Sequence, residues 1–277
     1  MTIYDQMLAA YPQQTEKQQH NARIEVAQQI VLAGLARSDF FSKAAFYGGT
    51  CLRIFHNLQR FSEDMDFSLL HTDEAFTWET YFPYIEQEFE ALGRTVTITK
   101  KDKRSFGKVE SAFLKDNTEV VNLQFLTEKS LKIKIEVDTY PPLGFATEQR
   151  LLFQPYPFYT RCIVPSDLFA GKIHALLFRQ WKSRVKGRDW YDFEWYIRNN
   201  IPLHFAHLQE RVRQCNDIEL TKEQFIEMLR DKITNTNIND VRVDVEPFLI
   251  GNLHDLDIWS NEYFLQIAGM ISYENVH

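Results

Sequence analysis

Apolar and polar positions divide the chain into two textures. Ile24, Ala27, Ile30, Val31 and Leu35 recur at helical spacing over 19–35, and Ser38 with Asp39 ends the pattern. A short apolar run, 44–47, leads into Gly48-Gly49, which predicts a strand ending in a tight turn. Thr50 then predicts the cap of a short helix over 51–57. In the stretch DMDFSLL at 64–70, Met65, Phe67 and Leu69 alternate with Asp64, Asp66 and Ser68, the pattern of a half-buried strand. The spacing predicts an amphipathic helix over 78–92, closed by Gly93, and strands over 95–100, 107–114, 119–127 and 132–138. After PPLGF at 141–145 the texture changes. Pro155, Pro157 and Pro165 punctuate a connecting segment, and helices are predicted over 166–182, 188–199, 203–214, 221–232, about 240–250 and 255–272. The fold class is α+β: an α/β domain over 1–155, with a mixed or antiparallel sheet and flanking helices, then a helical domain over 156–277.

Composition narrows the picture. The chain has 277 residues, is 44% apolar and is rich in Phe and Tyr, so it can bury a sizeable core. Its formal charge of −7 disfavours a general nucleic-acid coat, so any such partner must meet a local basic patch. Cys51, Cys162 and Cys215 are scattered and show no metal-ligand spacing, which fits a reducing compartment. The N-terminus lacks the pattern of a signal peptide, and no run is long and apolar enough to span a membrane. The expectation is a cytoplasmic protein.

Two acid pairs draw attention. Asp64 and Asp66 lie two apart on one predicted strand, so their side chains leave the same face. Like charges that close repel, unless water or a cation intervenes. A hard divalent cation would relieve the repulsion, because Mg²⁺ takes one or two carboxylates plus phosphate oxygens. Strand rise sets the two acids about 6.5 Å apart, enough to flank a metal pair about 3.5–4 Å apart. Glu136 and Asp138 share a face of the strand IKIEVD, and either could supply a third carboxylate. Lys132 and Lys134 lie on that side and could simply pair with these acids.

The turn Gly48-Gly49-Thr50 offers close backbone approach, helix-start N–H groups and a hydroxyl, all suited to phosphate. Neither a Walker A loop nor a dinucleotide fingerprint is present. In combination, the motifs GGTCLR at 48–53 and RFSEDMDF at 60–67, followed by the acid of IKIEVD, are more specific. Together they resemble the active-site pattern of the polymerase-β-like nucleotidyltransferases. The closer resemblance is to the AbiE-type toxin nucleotidyltransferases of bacterial type IV toxin–antitoxin systems, whose motifs read GGTxLR and RxSxDxDF.

Later motifs extend it. Over 172–188 stand Lys172, Arg179, Lys182, Arg184, Lys186 and Arg188 with no acid among them, a local patch suited to phosphates or to a solvated face. The block DLFAGK at 167–172 resembles the family's lysine helix, and RDWYD at 188–192 its RDxxD helix start. The resemblance spans about 45–200. It implies that Asp64, Asp66 and Glu136 bind Mg²⁺ (or Mn²⁺), with Glu136 favoured over Asp138. It implies that Gly48, Gly49, Thr50, Arg60, Ser62 and Lys172 bind the nucleotide, and that Asp189 is needed for activity. Arg53 and Arg60 could instead pair with nearby acids. The implied reaction moves an NMP from an NTP to a hydroxyl, with tRNA or another RNA as acceptor and a separately encoded antitoxin as partner. A protein or small-molecule acceptor, a non-catalytic nucleotide-binding module and a metal nuclease are the competing readings.

Overall fold

A computed structural model describes residues 1–100, 118–126, 131–179, 185–250 and 253–274. The strand predicted over 107–114 and the basic segment 182–184 lie outside the described residues. The chain forms two compact units. The first comprises Met1–His56, Ser62–Pro141 and Thr147–Cys162; the second comprises Asn57–Phe61, Pro142–Ala146 and Ile163–His277.

Among the described residues, the first unit is built on a seven-stranded sheet. Its strands are β1 (Ala44–Tyr47), β2 (Met65–Leu69), β3 (Val96–Lys100), β4 (Thr118–Phe125), β5 (Lys132–Asp138), β6 (Thr147–Leu152) and β7 (Phe158–Ile163), in the order β3-β4-β5-β2-β1-β7-β6. The sheet is mixed: β2 pairs parallel to β5 and β1 parallel to β7, while β1–β2, β3–β4 and β4–β5 are antiparallel. This is the expected α+β architecture, with two additions. Where the prolines suggest a connecting segment, over 147–163, β6 and β7 form. β6 sits at the sheet edge and is only half-buried on alternate positions, so it lacks the apolar run that marks a strand.

Among the described residues, five helices belong to this unit: α1 (Ile3–Ala9), α2 (Glu16–Ala36), α3 (Phe40–Lys43), α4 (Gly48–His56) and α5 (Phe82–Ala91). Thr15 caps α2 in a reciprocal box with Gln18. Its middle is buried all round: Val26, Ala27, Ile30, Val31, Leu32 and Ala33 have no exposed surface. α2 therefore reads as a core helix rather than a two-faced surface one. Phe40, Phe67, Trp78 and Tyr81 pack at centroid distances of 5.0 to 6.3 Å beside the sheet. Each buried aromatic of this kind stabilises by roughly 1.5–3 kcal/mol.

The second unit is helical: α6 (Pro165–Phe178), α7 (Gly187–Arg198), α8 (Phe205–Asn216), α9 (Lys222–Thr234), α10 (Ile238–Val245) and α11 (Asn261–Ala268). α6 stops at Phe178, and the predicted last two helices shorten to α10 and α11, each beside a 3₁₀ turn. Phe169 of α6 stacks on Tyr196 of α7 at 4.5 Å, and Trp190 meets Phe264 of α11 at 5.0 Å. Buried Glu194 is satisfied by Trp259 Nε1 at 3.0 Å and by the Tyr263 hydroxyl.

Candidate active site

In the first unit the acids come together through sheet register. Asp66 lies directly opposite Glu136 across the parallel β2–β5 pair, and Ser68 lies opposite Asp138. Adjacent strands run about 4.8 Å apart, so the Asp66 and Glu136 side chains leave the same face as neighbours. Ile135 and Val137 point the other way into the core. Asp138 instead accepts from the Tyr140 backbone N–H at 3.0 Å. Asp64 precedes β2 by one residue, in phase with Asp66. Lys134, two positions before Glu136, places its ammonium 2.7 Å from that carboxylate.

The glycine turn meets these acids. Gly48 follows β1 with φ +80°, a conformation that favours glycine. A Cβ built there would stand 2.4 Å from Asp66 Oδ2. The cradle that Gly48 leaves open is thus filled by the Asp66 carboxylate. α4 begins at Gly48, three residues earlier than predicted, and Thr50 is not its cap. The Thr50 side chain is buried, and its hydroxyl donates to the Asp64 carbonyl, fixing the approach to β2. That partner is remote in sequence, so helix-start chemistry alone pointed elsewhere.

Two supports for the site were missed in the sequence. Gln28 on α2, fully buried, donates from Nε2 to the carbonyls of Ser62 and Glu63, both at 3.0 Å. Ser62 is itself buried. Glu25, one turn earlier, accepts from Arg53 Nε with both oxygens at 3.2 Å. Burial lifts Glu25 above its usual range, opposed by Arg53. The available signal was two polar residues on the apolar side of a helix, which require partners when buried. Arg53 is therefore an anchor between α4 and α2.

The second unit holds the later motifs. Lys172 on α6 places its ammonium 2.8 Å from Asp189 Oδ1 and 2.7 Å from Asp192 Oδ2, two acids one turn apart on α7. Arg60 forks onto Asp192: Nε to Oδ1 and Nη2 to Oδ2, both at 2.6 Å, with Nη1 donating to the Phe61 carbonyl at 3.1 Å. The Arg60 guanidinium is enclosed, at 3% exposure, so among the described residues its partner is Asp192. Arg179 stands 3.5 Å from Asp189. Burial would raise the Asp189 carboxyl, but Lys172, Arg179 and Lys186 outweigh it and hold it well below the usual range. Arg60 and Lys172 do the same for Asp192. Lys186 is pushed down to about 8 by burial and by its cationic neighbour Arg179.

Among the described residues, no three His, Cys, Asp or Glu side chains are gathered closely enough to hold a metal alone. The donor set nonetheless fits a hard divalent ion. Such ions take one or two carboxylates, and substrate phosphate oxygens complete the shell.

A mixed sheet bearing register-paired acids beside a glycine turn is the arrangement that the resemblance to nucleotidyltransferases implies. Solved structures agree on the fold. The nucleotidyltransferase toxin MenT4 of Mycobacterium tuberculosis matches with TM-score 0.60 at 13% identity, over 97% of this chain and 88% of that one. JHP933 of Helicobacter pylori matches with TM-score 0.54 at 16% identity, over 90% of each. No curated protein sequence matches. The family model of the AbiEii nucleotidyl transferase toxins of type IV toxin–antitoxin systems matches residues 30–266, and the chain belongs to that family. It is therefore a nucleotidyltransferase, and the family implies an NTP as substrate. Among the described residues, no helix is long and apolar enough to cross a membrane.

Proposed function

We propose that this protein transfers an NMP from an NTP to the 3′-terminal hydroxyl of tRNA, releasing pyrophosphate, in the cytoplasm. The observation that carries the reading is the direct register of Asp66 with Glu136, beside the cradle at Gly48. The new bond joins the acceptor oxygen to the α-phosphorus; the bond from that phosphorus to the bridging oxygen breaks, and pyrophosphate leaves. When bound to Asp64, Asp66 and Glu136, Mg²⁺ or Mn²⁺ neutralises charge on the phosphates. Glu136 faces the acceptor hydroxyl and takes its proton. The N–H groups at the start of α4, from Gly48, Gly49 and Thr50, donate to phosphate oxygens. The buried backbone of Ser62 holds the acid strand in place. In the second unit, Lys172 contacts nucleotide phosphate and Asp189 orients Lys172. Little covalent chemistry falls to the protein; position and charge supply the rate. The cationic run over 172–188 in an acidic chain supports an RNA acceptor.

The test incubates the protein with each NTP, Mg²⁺ and total tRNA. RNA lengthened at its 3′ end, with pyrophosphate released, is expected. Asp66→Asn should lower incorporation by at least ~100-fold. Label in protein or small molecules, with RNA unchanged, would replace the acceptor. NTP binding without pyrophosphate release under any acceptor would overturn turnover itself.

A further inference from the structure

We propose that Arg60 and Asp192 form a buried positioning pair that sets the charge and place of Lys172; the inference rests on the phosphate role of Lys172 given above. Lys172 lies between two carboxylates, Asp189 at 2.8 Å and Asp192 at 2.7 Å, and is 15% exposed. Two full negative charges beside one ammonium would more than cancel it and leave little attraction for a phosphate. Each carboxylate, however, is shared with a guanidinium. Arg60 takes both oxygens of Asp192 at 2.6 Å, and Arg179 stands 3.5 Å from Asp189. Among the described residues, Arg60, Lys172, Arg179 and Lys186 face Asp189 and Asp192, so cations outnumber carboxylates, and an ammonium has three donors, so capacity remains for a third acceptor.

The bond pattern also fixes location. A fork of two parallel N–H···O bonds orients a carboxylate plane as a single contact does not. Asp192 is fully buried and cannot turn toward water instead. Arg60 is itself held by the Phe61 carbonyl, and the neighbouring Phe61 N–H donates to Phe248 O at 2.7 Å. Position thus passes from the 57–61 backbone to Arg60, then Asp192, then Lys172. Arg60 touches no phosphate in this scheme; it acts through the lysine. A lysine in its place could supply the charge but not the fork.

The experiment measures kcat and KM for the NTP in the transfer assay, using the full chain and the variants Lys172→Met, Arg60→Gln, Arg60→Lys and Lys172→Met/Arg60→Gln. Thermal unfolding is recorded for each. Lys172→Met should raise KM. Arg60→Gln should raise KM by about ten- to a hundredfold, the loss expected when a lysine no longer reaches its charged phosphate partner. Its kcat should change less. Arg60→Lys should recover part of the loss, and Arg60→Gln should add nothing in the Lys172→Met background. If Arg60→Gln fails to fold, Arg60→Lys alone and with Lys172→Met carries the same comparison. An unchanged KM in the Arg60 variant, or effects that multiply in the double variant, would overturn the relay and leave the phosphate role of Lys172 standing. An unchanged KM in Lys172→Met would remove that role and the relay with it, and absent transfer by the wild type would remove the reaction.

Discussion

At the scale of single residues, most buried polar groups have a named partner, and the chemistry follows the exceptions. His207 on α8 is one: its ring is buried against Phe145, and its Nδ1 has no partner among the described residues. Burial, then the charge of Arg211, pulls its pKa down to about 3. The unfolded chain takes up this proton near 6.5, the folded chain does not. Stability from this residue is thus complete above pH 6.5 and falls as pH drops toward 3, by about 2 kcal/mol at pH 5. Urea midpoints between pH 7 and pH 4 should fall less steeply in His207→Leu than in the wild type; equal slopes would reject the assignment. Residue-scale signals in the sequence were uneven for the same reason. The turn at Gly48 and the same-face spacing of Asp64 and Asp66 were readable because both are local patterns. The partners of Thr50, Gln28 and Arg60 were not, because only the fold supplies them: the Asp64 carbonyl, the Ser62 carbonyl and, among the nearby acids the sequence allowed for Arg60, Asp192.

At the scale of elements, register does what residue type alone cannot. Spacing placed Glu136 and Asp138 on one face of β5, but only the parallel pairing with β2 sets Glu136, and not Asp138, across from Asp66. A slip of two residues would exchange them. The long helices were readable from 3.6-residue periodicity, and β2 and β5 from alternation. β6 was hidden because an edge strand needs less apolar surface, and the prolines around β6 and β7 suggest loop. Helix contacts are equally tight. Gly34 lets α2 approach α5 so closely that a Cβ there would stand 2.7 Å from Ile85 Cα and 2.9 Å from the Tyr84 carbonyl. Gly34→Ala gains about 1 kcal/mol of helix propensity yet should destabilise by about 1–3 kcal/mol, because backbone must move. Chemical denaturation decides the sign; a stabilised variant would refute the crowding.

At the scale of the whole molecule, a formal charge of −7 repels RNA at long range, so an RNA acceptor must be held by local cations. The KM for tRNA should then rise with salt, with a log–log affinity slope of about −2 if three single-strand phosphates are neutralised. A flat response would point to a small or protein acceptor. The helical character of the C-terminal half was visible in its sequence, but its claim on residues far upstream was not. Asn57–Phe61 belongs with the helices, though it lies between the glycine turn and the acid strand. Phe61 N–H bonds to Phe248 O, and Ile250 N–H to Gln59 O. The two halves are therefore stitched by the chain rather than joined end to end. Recombination that swapped one terminus for another would orphan this five-residue thread, so the helical half can be inherited only together with the motifs that surround it.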